Sequence, residues 1–201
     1  LSDITNTPAR LAQQLAFLVE IDKLKAVLRQ TELIDGSRRE NSAEHSWHIA
    51  TMAAVLHEYA VEAVDERRVL HMLLIHDIVE VDAGDTFAFD VHANASKAER
   101  EQAAAARIFG LLPEDQGREL WALWEEFEAG VTAEARFANA LDRLAGLISN
   151  YYNRGGSWRR FGISRDAVLR RMEPIRTGAP ELWPFVLRVV EEAAADGAIV
   201  S

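Results

Sequence analysis

The sequence predicts an all-α protein, a single domain of seven to nine helices. Three observations support this class. Apolar residues recur every three or four positions along most of the chain, the period of a helix with one buried face. Glycines, prolines and capping side chains separate these stretches at helix-length intervals. No segment shows a convincing two-residue alternation of apolar and polar side chains, as a half-buried strand would.

Taken in order, "ARLAQQLAFLVEIDKLKAVLRQ" places Leu11, Leu15, Leu18, Ile21 and Leu24 on one helical stripe and predicts a first helix of about twenty residues. "NSAEHSWHIATMAAVLHEYAVEA" predicts a second, with Asn41 or Ser42 as N-cap and Glu44 favouring its start. "DERRVLHMLLIHDIVEV" predicts a third, capped by Asp65. The irregular "DAGDTFAFDVHANAS" follows, with Gly84 permitting a tight turn. It is the longest expected loop, and long loops in compact domains often carry function. Helices resume in "SKAEREQAAAARIFGLL", ended by Gly110, and in "PEDQGRELWALWEEFEAG", between Pro113 and Gly130. Within the latter, Trp121, Trp124 and Phe127 are read as core. "TAEARFANALDRLAGLISNYYNRGG" is capped by Thr132 and closed by Gly155-Gly156. Two shorter helices, about 164–176 and 180–196, complete the chain, packing on the domain or at a dimer interface.

The composition narrows the function. With 32 acidic against 22 basic side chains, the formal charge of −10 repels a phosphate backbone, so the chain is not expected to bind nucleic acid. A small phosphorylated ligand remains compatible, because a bound divalent cation and local arginines reverse the field inside one pocket. No apolar run reaches the length of a membrane span. The polar start "LSDITNTPAR" lacks a basic region followed by an apolar one, so a cytoplasmic protein without a signal peptide is expected. The absence of cysteine means that any metal must be held by imidazole and carboxylate.

Candidate side chains for that work are His45, His76, Asp77, Glu80 and Asp142. Their mixture suits borderline or hard divalent cations. His76 and Asp77 are neighbours about 100° apart on a helix, so both reach one ion only at a helix end or close flank. Glu80 follows His76 by one turn on the same face and is placed to take a proton from a water beside the ion. A lone histidine is more often packed or solvated, and His57, His71 and His92 are read that way. Asp142 lies close to the apolar stripe of Phe137, Ala138, Leu141 and Leu144 and needs a partner, because a buried unpaired charge is costly. Arg143, Arg136 or a metal would each serve.

The order His, His-Asp, Asp resembles the HD-domain superfamily of metal-dependent phosphohydrolases. More narrowly, "RRENSAEHSWHIA", "LLIHDIVEVDAGD" and "LWEEFEAGVTAEARFANALDRL" are similar to the bacterial 5′-deoxynucleotidase branch and its eukaryotic HD-domain-containing relatives, over about residues 20–160. The resemblance implies an all-α HD domain spanning 1–201. It makes His45, His76, Asp77 and Asp142 the ligands of one divalent ion (Co, Mn, Ni, Fe, Zn or Mg), with only His92 available between the HD pair and the last Asp for a second. Glu80, helped by Asp77, matches the water-activating acid. Asp85 and Thr86 match substrate-contacting loop positions, and Glu44 matches the acidic residue before the first His. Arg38 is the first candidate for phosphate and Arg39 the second. A homodimer is implied as well.

One departure stands out: where the branch carries an Arg-Trp pair at the end of the first helix, this chain has Gln30 and Thr31, with Arg29 adjacent. The expected activity is phosphate release from ribo- or deoxyribonucleoside 5′-monophosphates. The alternatives are hydrolysis of another phosphomonoester or a nucleotide polyphosphate, and a non-catalytic protein binding metal or nucleotide.

Overall fold

The structure, a computed structural model, describes residues 8–90, 92 and 95–200. The polar stretch 1–7, and positions 91, 93 and 94 of the long loop, lie outside the described residues. The helices are α1 (Ala9–Ile21), α2 (Ser42–Leu56), α3 (Glu66–Ile75), α4 (Glu80–Ala83), α5 (Lys97–Phe109), α6 (Glu114–Ala129), α7 (Ala133–Tyr152), α8 (Gly156–Phe161), α9 (Arg165–Gly178) and α10 (Trp183–Ala195). Eight of them have ten residues or more, and the predicted all-α class stands.

The caps act as the sequence predicts. Glu44 N–H donates to Asn41 Oδ1 (2.9 Å) and Asn41 N–H donates back to Glu44 Oε1 (2.7 Å), a reciprocal box that starts α2. Asp65 and Thr132 accept from the third residues of α3 and α7. Gly130 ends α6 in the left-handed conformation (φ 62°).

Two differences from the sequence reading concern residues 9–41. The first helix stops at Ile21, passes through a 3₁₀ turn (Asp22–Ala26) and becomes extended at Val27. Its core-facing residues are Phe17, Ile21 and Leu24, whereas Leu11, Leu15 and Leu18 are exposed. A short antiparallel hairpin follows, β1 (Leu28–Glu32) and β2 (Arg39–Asn41), where no strand was expected. Its strands are too short and polar to show a two-residue apolar period, so pairing, not patterning, makes them. Arg39 locks the hairpin, donating from Nε to Arg29 O and from Nη2 to Leu28 O.

The core is organised around α7, the longest helix. Ala135, Phe137, Ala138, Leu141, Leu144, Ala145 and Leu147 are buried along it. It packs against α2, α3, α6 and α9. Small residues on α7 permit a close crossing: Gly178 at the end of α9 lies directly over the Arg136 carbonyl, where any Cβ would collide. Val168, Met172, Ile175, Val186, Val189 and Val190 join the C-terminal helices to the same core. Trp124 and Phe127 are buried as expected, and Trp121 is half-buried against Phe109.

Candidate metal centre

Three helices meet where chemistry was expected. His45 comes from the first turn of α2, His76 caps the C-terminus of α3, and Asp142 sits midway along α7; all three are buried. The helix break after Ile75 explains why the apolar α3 ends in charge. The chain turns at residues 76–79, so His76 and Asp77 are not bound to ordinary helical directions, and it resumes in α4 with Glu80 at its start. Gly84, at φ 71°, then turns the chain toward Asp85 and Thr86.

The imidazoles are aimed. His76 Nδ1–H donates to the Leu73 carbonyl at 3.0 Å, which leaves Nε2 as the free nitrogen, buried and without a hydrogen-bond partner. Phe127 holds the same ring at 4.8 Å between centroids. His45 has the carboxylate of Glu40 3.4 Å behind Nδ1 and turns Nε2 toward Asp142 Oδ1 at 2.9 Å. One ligand atom each from His45, His76 and Asp142 lie within 4.8 Å of one another. Asp77 falls outside this triad, but its Oδ1 is 3.0 Å from His76 Nε2. Its other oxygen accepts from Arg29 Nη1 at 2.8 Å. An orphaned buried imidazole nitrogen among carboxylates, with a carboxylate or carbonyl behind each ring, is the donor set a divalent cation requires.

Electrostatics separate the roles. Burial pushes His76 below the usual histidine range, keeping it a neutral potential ligand. For His45, burial and the charge of Arg29 oppose protonation, but the hydrogen bonds to Asp142 and Glu40 prevail and raise it to about 9. Burial works against ionised Asp142, yet Arg143 and His45 hold it well below the carboxylate range. Glu80 behaves oppositely: burial, reinforced by the charge of Asp77, pushes it well above the carboxylate range, although Arg29 and the Ser42 hydroxyl oppose this. Ser42 Oγ donates to Glu80 Oε2 at 2.6 Å. A carboxyl group raised in this way, beside a ligand cluster, is suited to accept and return a proton.

A cavity of about 200 Å³ opens over the cluster, lined by His76, Asp77, Glu80, Asp142 and the predicted loop residues Asp85 and Thr86. Gln30 and Thr31 line it too, and Phe87, Phe89 and Trp158 give it apolar wall. Asp85 accepts from Gln30 N–H at 3.2 Å, and burial raises it above the carboxylate range. Two expected phosphate contacts are placed elsewhere. Arg38 is exposed and held by Glu44 (2.6 and 2.8 Å), and Arg39 is spent on the hairpin; neither lines the cavity. Glu44 is thus engaged in capping α2 and pairing with Arg38.

Arg29, which the sequence marks only as the neighbour of Gln30, is half-buried and pairs with Asp77 and Glu40. Burial disfavours its charge, but Asp77 and Asp142 outweigh that and hold it ionised. Glu40 was not singled out in the sequence, and Ser42 only as a possible N-cap. Their only signal is position, in the few residues leading into the first histidine.

An all-α fold with two histidines and two aspartates in this order defines an HD domain, and comparison with known proteins agrees. The HD domain family model matches residues 21–183, and the chain belongs to the HD-domain family. It is 35% identical over 135 residues to 5′-deoxynucleotidase HDDC2 of Homo sapiens, covering 67% of this chain and 65% of that protein. The HDDC2 protein of Mus musculus is 33% identical over 67% of this chain and 66% of its own length. The chain thus spans just under two thirds of these curated relatives. A crystal structure described as a predicted metal-dependent phosphohydrolase from Magnetospirillum magnetotacticum MS-1 superposes with TM-score 0.93 at 55% identity, covering 98% of this chain and 100% of that one. A conserved hypothetical protein from Pyrococcus furiosus shares the fold, with TM-score 0.63, 24% identity and coverage of 90% and 99%.

Proposed function

We propose that this protein is a metal-dependent phosphomonoesterase that releases phosphate from nucleoside 5′-monophosphates. The observation that carries the reading is the convergence of His45, His76 and Asp142, of which His76 and Asp142 face a cavity that also holds the buried acid Glu80. His45, His76, Asp77 and Asp142 would hold one divalent ion, which supplies Lewis-acid activation of water and of a phosphate oxygen. Glu80 accepts the proton of the attacking water, and the Ser42 hydroxyl steadies the carboxylate that does so. The water oxygen bonds to phosphorus, the ester bond to the 5′-oxygen breaks, the proton taken by Glu80 is returned to the departing 5′-oxygen, and the products are a nucleoside and inorganic phosphate. Asp85 offers an acceptor to a sugar hydroxyl, and Phe87, Phe89 and Trp158 supply apolar surface for a base.

The similarity to proteins described as 5′-deoxynucleotidases and as a metal-dependent phosphohydrolase supports both the reaction and its substrate class. The proposal includes a homodimer, supported by the apolar surface of Leu11, Leu15, Leu18 and Val19 on α1 with Trp47 and Leu74 beside it. It also includes a cytoplasmic location, where such substrates are found. Among the described residues, no helix is long and apolar enough to cross a membrane.

The test is phosphate release from ribo- and deoxyribonucleoside mono-, di- and triphosphates by stripped protein supplied with Co, Mn, Ni or Mg. Preferential release from monophosphates is expected. No release with any pairing would leave a non-catalytic binding protein as the better reading, and preference for triphosphates would move the substrate class.

A further inference from the structure

Four cationic side chains line the metal cavity: Arg29, Lys97, Arg143 and Arg171. Three have carboxylate partners. Arg29 pairs with Asp77 and Glu40, Arg143 with Asp142, and Lys97 with Glu101. Arg171 has no hydrogen bond or ion pair among the described residues.

Its position makes this unusual. Arg171 stands on the core-facing side of α9, with Val168 three residues before it and Ile175 four after, both fully buried. Arginines on exposed helix faces need no partner, but this one is half-buried beside an apolar stripe, losing part of its hydration with no acceptor gained among the described residues. Burial, and then the neighbouring charge of Arg143, pull Arg171 down to about 10. Arg143 itself retains a buried Nε with no acceptor, although its Nη1 holds Asp142. Two guanidinium groups thus repel one another at one wall of the cavity, and donors on both lack acceptors. Such an arrangement stores free energy that an anion with several acceptor oxygens recovers.

We propose that Arg171, backed by Arg143, grips non-bridging oxygens of a phosphate group at the wall of the metal cavity. The inference rests on the phosphomonoesterase reading for the origin of that phosphate, which would belong to substrate and then to product. It assigns the anchor to a C-terminal helix, far in sequence from the histidine and aspartate motifs. The α7–α9 packing that builds the core would therefore also position the substrate.

The experiment uses full-length, Mn-loaded protein and inorganic phosphate, with Arg171→Gln, Arg171→Met and Arg171→Lys. Arg170→Gln, an exposed neighbour, is the control. Calorimetry should show phosphate affinity at least about tenfold weaker in the Gln and Met variants, as expected for loss of charged hydrogen bonds. The Lys variant, with charge but no fork, should lie between them and wild type, and Arg170→Gln should match wild type. Binding of a nucleoside lacking phosphate should be unchanged throughout. Without ligand, Arg171→Met should melt no lower than wild type, because the half-buried guanidinium it removes has no partner among the described residues.

Wild-type phosphate affinity in both Arg171→Gln and Arg171→Met would overturn the proposal, as would wild type that binds no phosphate. If the variants lose phosphate binding while wild type hydrolyses no phosphomonoester, the anion site stands and the proposed reaction falls.

Discussion

Ser42→Ala tests the assignment of Glu80 with little risk to the fold. Ser42 is the first residue of α2, whose capping is done by Asn41 and Glu44, and alanine is well tolerated in a helix. The substitution removes a fully buried hydroxyl that donates to Glu80 Oε2 at 2.6 Å. A hydrogen bond to an ionised group contributes about 1.5–3 kcal/mol and one to a neutral group about 0.5–1.5 kcal/mol. The hydroxyl can rotate and accept from protonated Glu80, so only the difference, roughly 1–1.5 kcal/mol, favours the carboxylate. Losing it makes the proton harder to remove. The acid limb of kcat/KM should move toward higher pH by about one unit, giving about tenfold slower turnover on that limb. The assay is a pH–rate profile with a nucleoside monophosphate at saturating metal, alongside a metal titration that should be unchanged. An acid limb identical to wild type, with activity intact, would show that the group titrating there is not Glu80.

Four further outcomes are expected. Glu80→Gln should keep its metal, measured by elemental analysis, and lose about 10²–10⁴-fold in kcat, the usual contribution of a positioned base. Asp142→Ala should lose metal as well as activity, because it removes one of the three clustered ligands and the carboxylate facing His45 Nε2. Arg29→Met leaves Asp77 without its ion-pair partner and removes a neighbouring positive charge from Glu40 and Asp142, and should cost the metal-free protein roughly 3 kcal/mol, or about 6–12 °C in Tm; added Mn should recover part of the loss. His45, raised to about 9, gives metal-free protein stability that is fully present below its unfolded pKa near 6.5 and is lost as pH rises through about 9. Chemical unfolding of wild type and His45→Gln across pH 6–10 isolates that contribution. The same proton must leave before an ion can bind, so Mn affinity should strengthen over that range and binding should release a proton.

Much of the helical skeleton was legible because its information is local. The N-caps Asn41, Asp65 and Thr132 and the C-terminal Gly130 act within one turn of their own positions. Helix α7 could be read from its apolar stripe, and Asp142 on that stripe was already a charge in need of a partner. The hairpin could not be read, since Leu28–Glu32 has no periodic signal and forms through cross-strand hydrogen bonds to residues beyond the turn. The first helix was extended too far for a related reason. Its continuous apolar period runs on past Ile21, but core contact is made by Phe17, Ile21 and Leu24, and the chain must then turn into β1.

The site divides along the same line. The all-α class, the order of the helices and the residue types able to hold an ion are already specified along the chain. These follow from periodicity, caps and side-chain chemistry, which each residue carries with it. Which charges face one another is set by the folding of the chain in space. It drew Arg38 out to Glu44, brought Arg29 into Asp77, placed Glu40 behind His45 and Ser42 against Glu80, and left Arg171 at the cavity wall with no partner among the described residues. Electrostatic energy in a buried site depends on separation in space and on lost water, and neither is a function of separation along the chain.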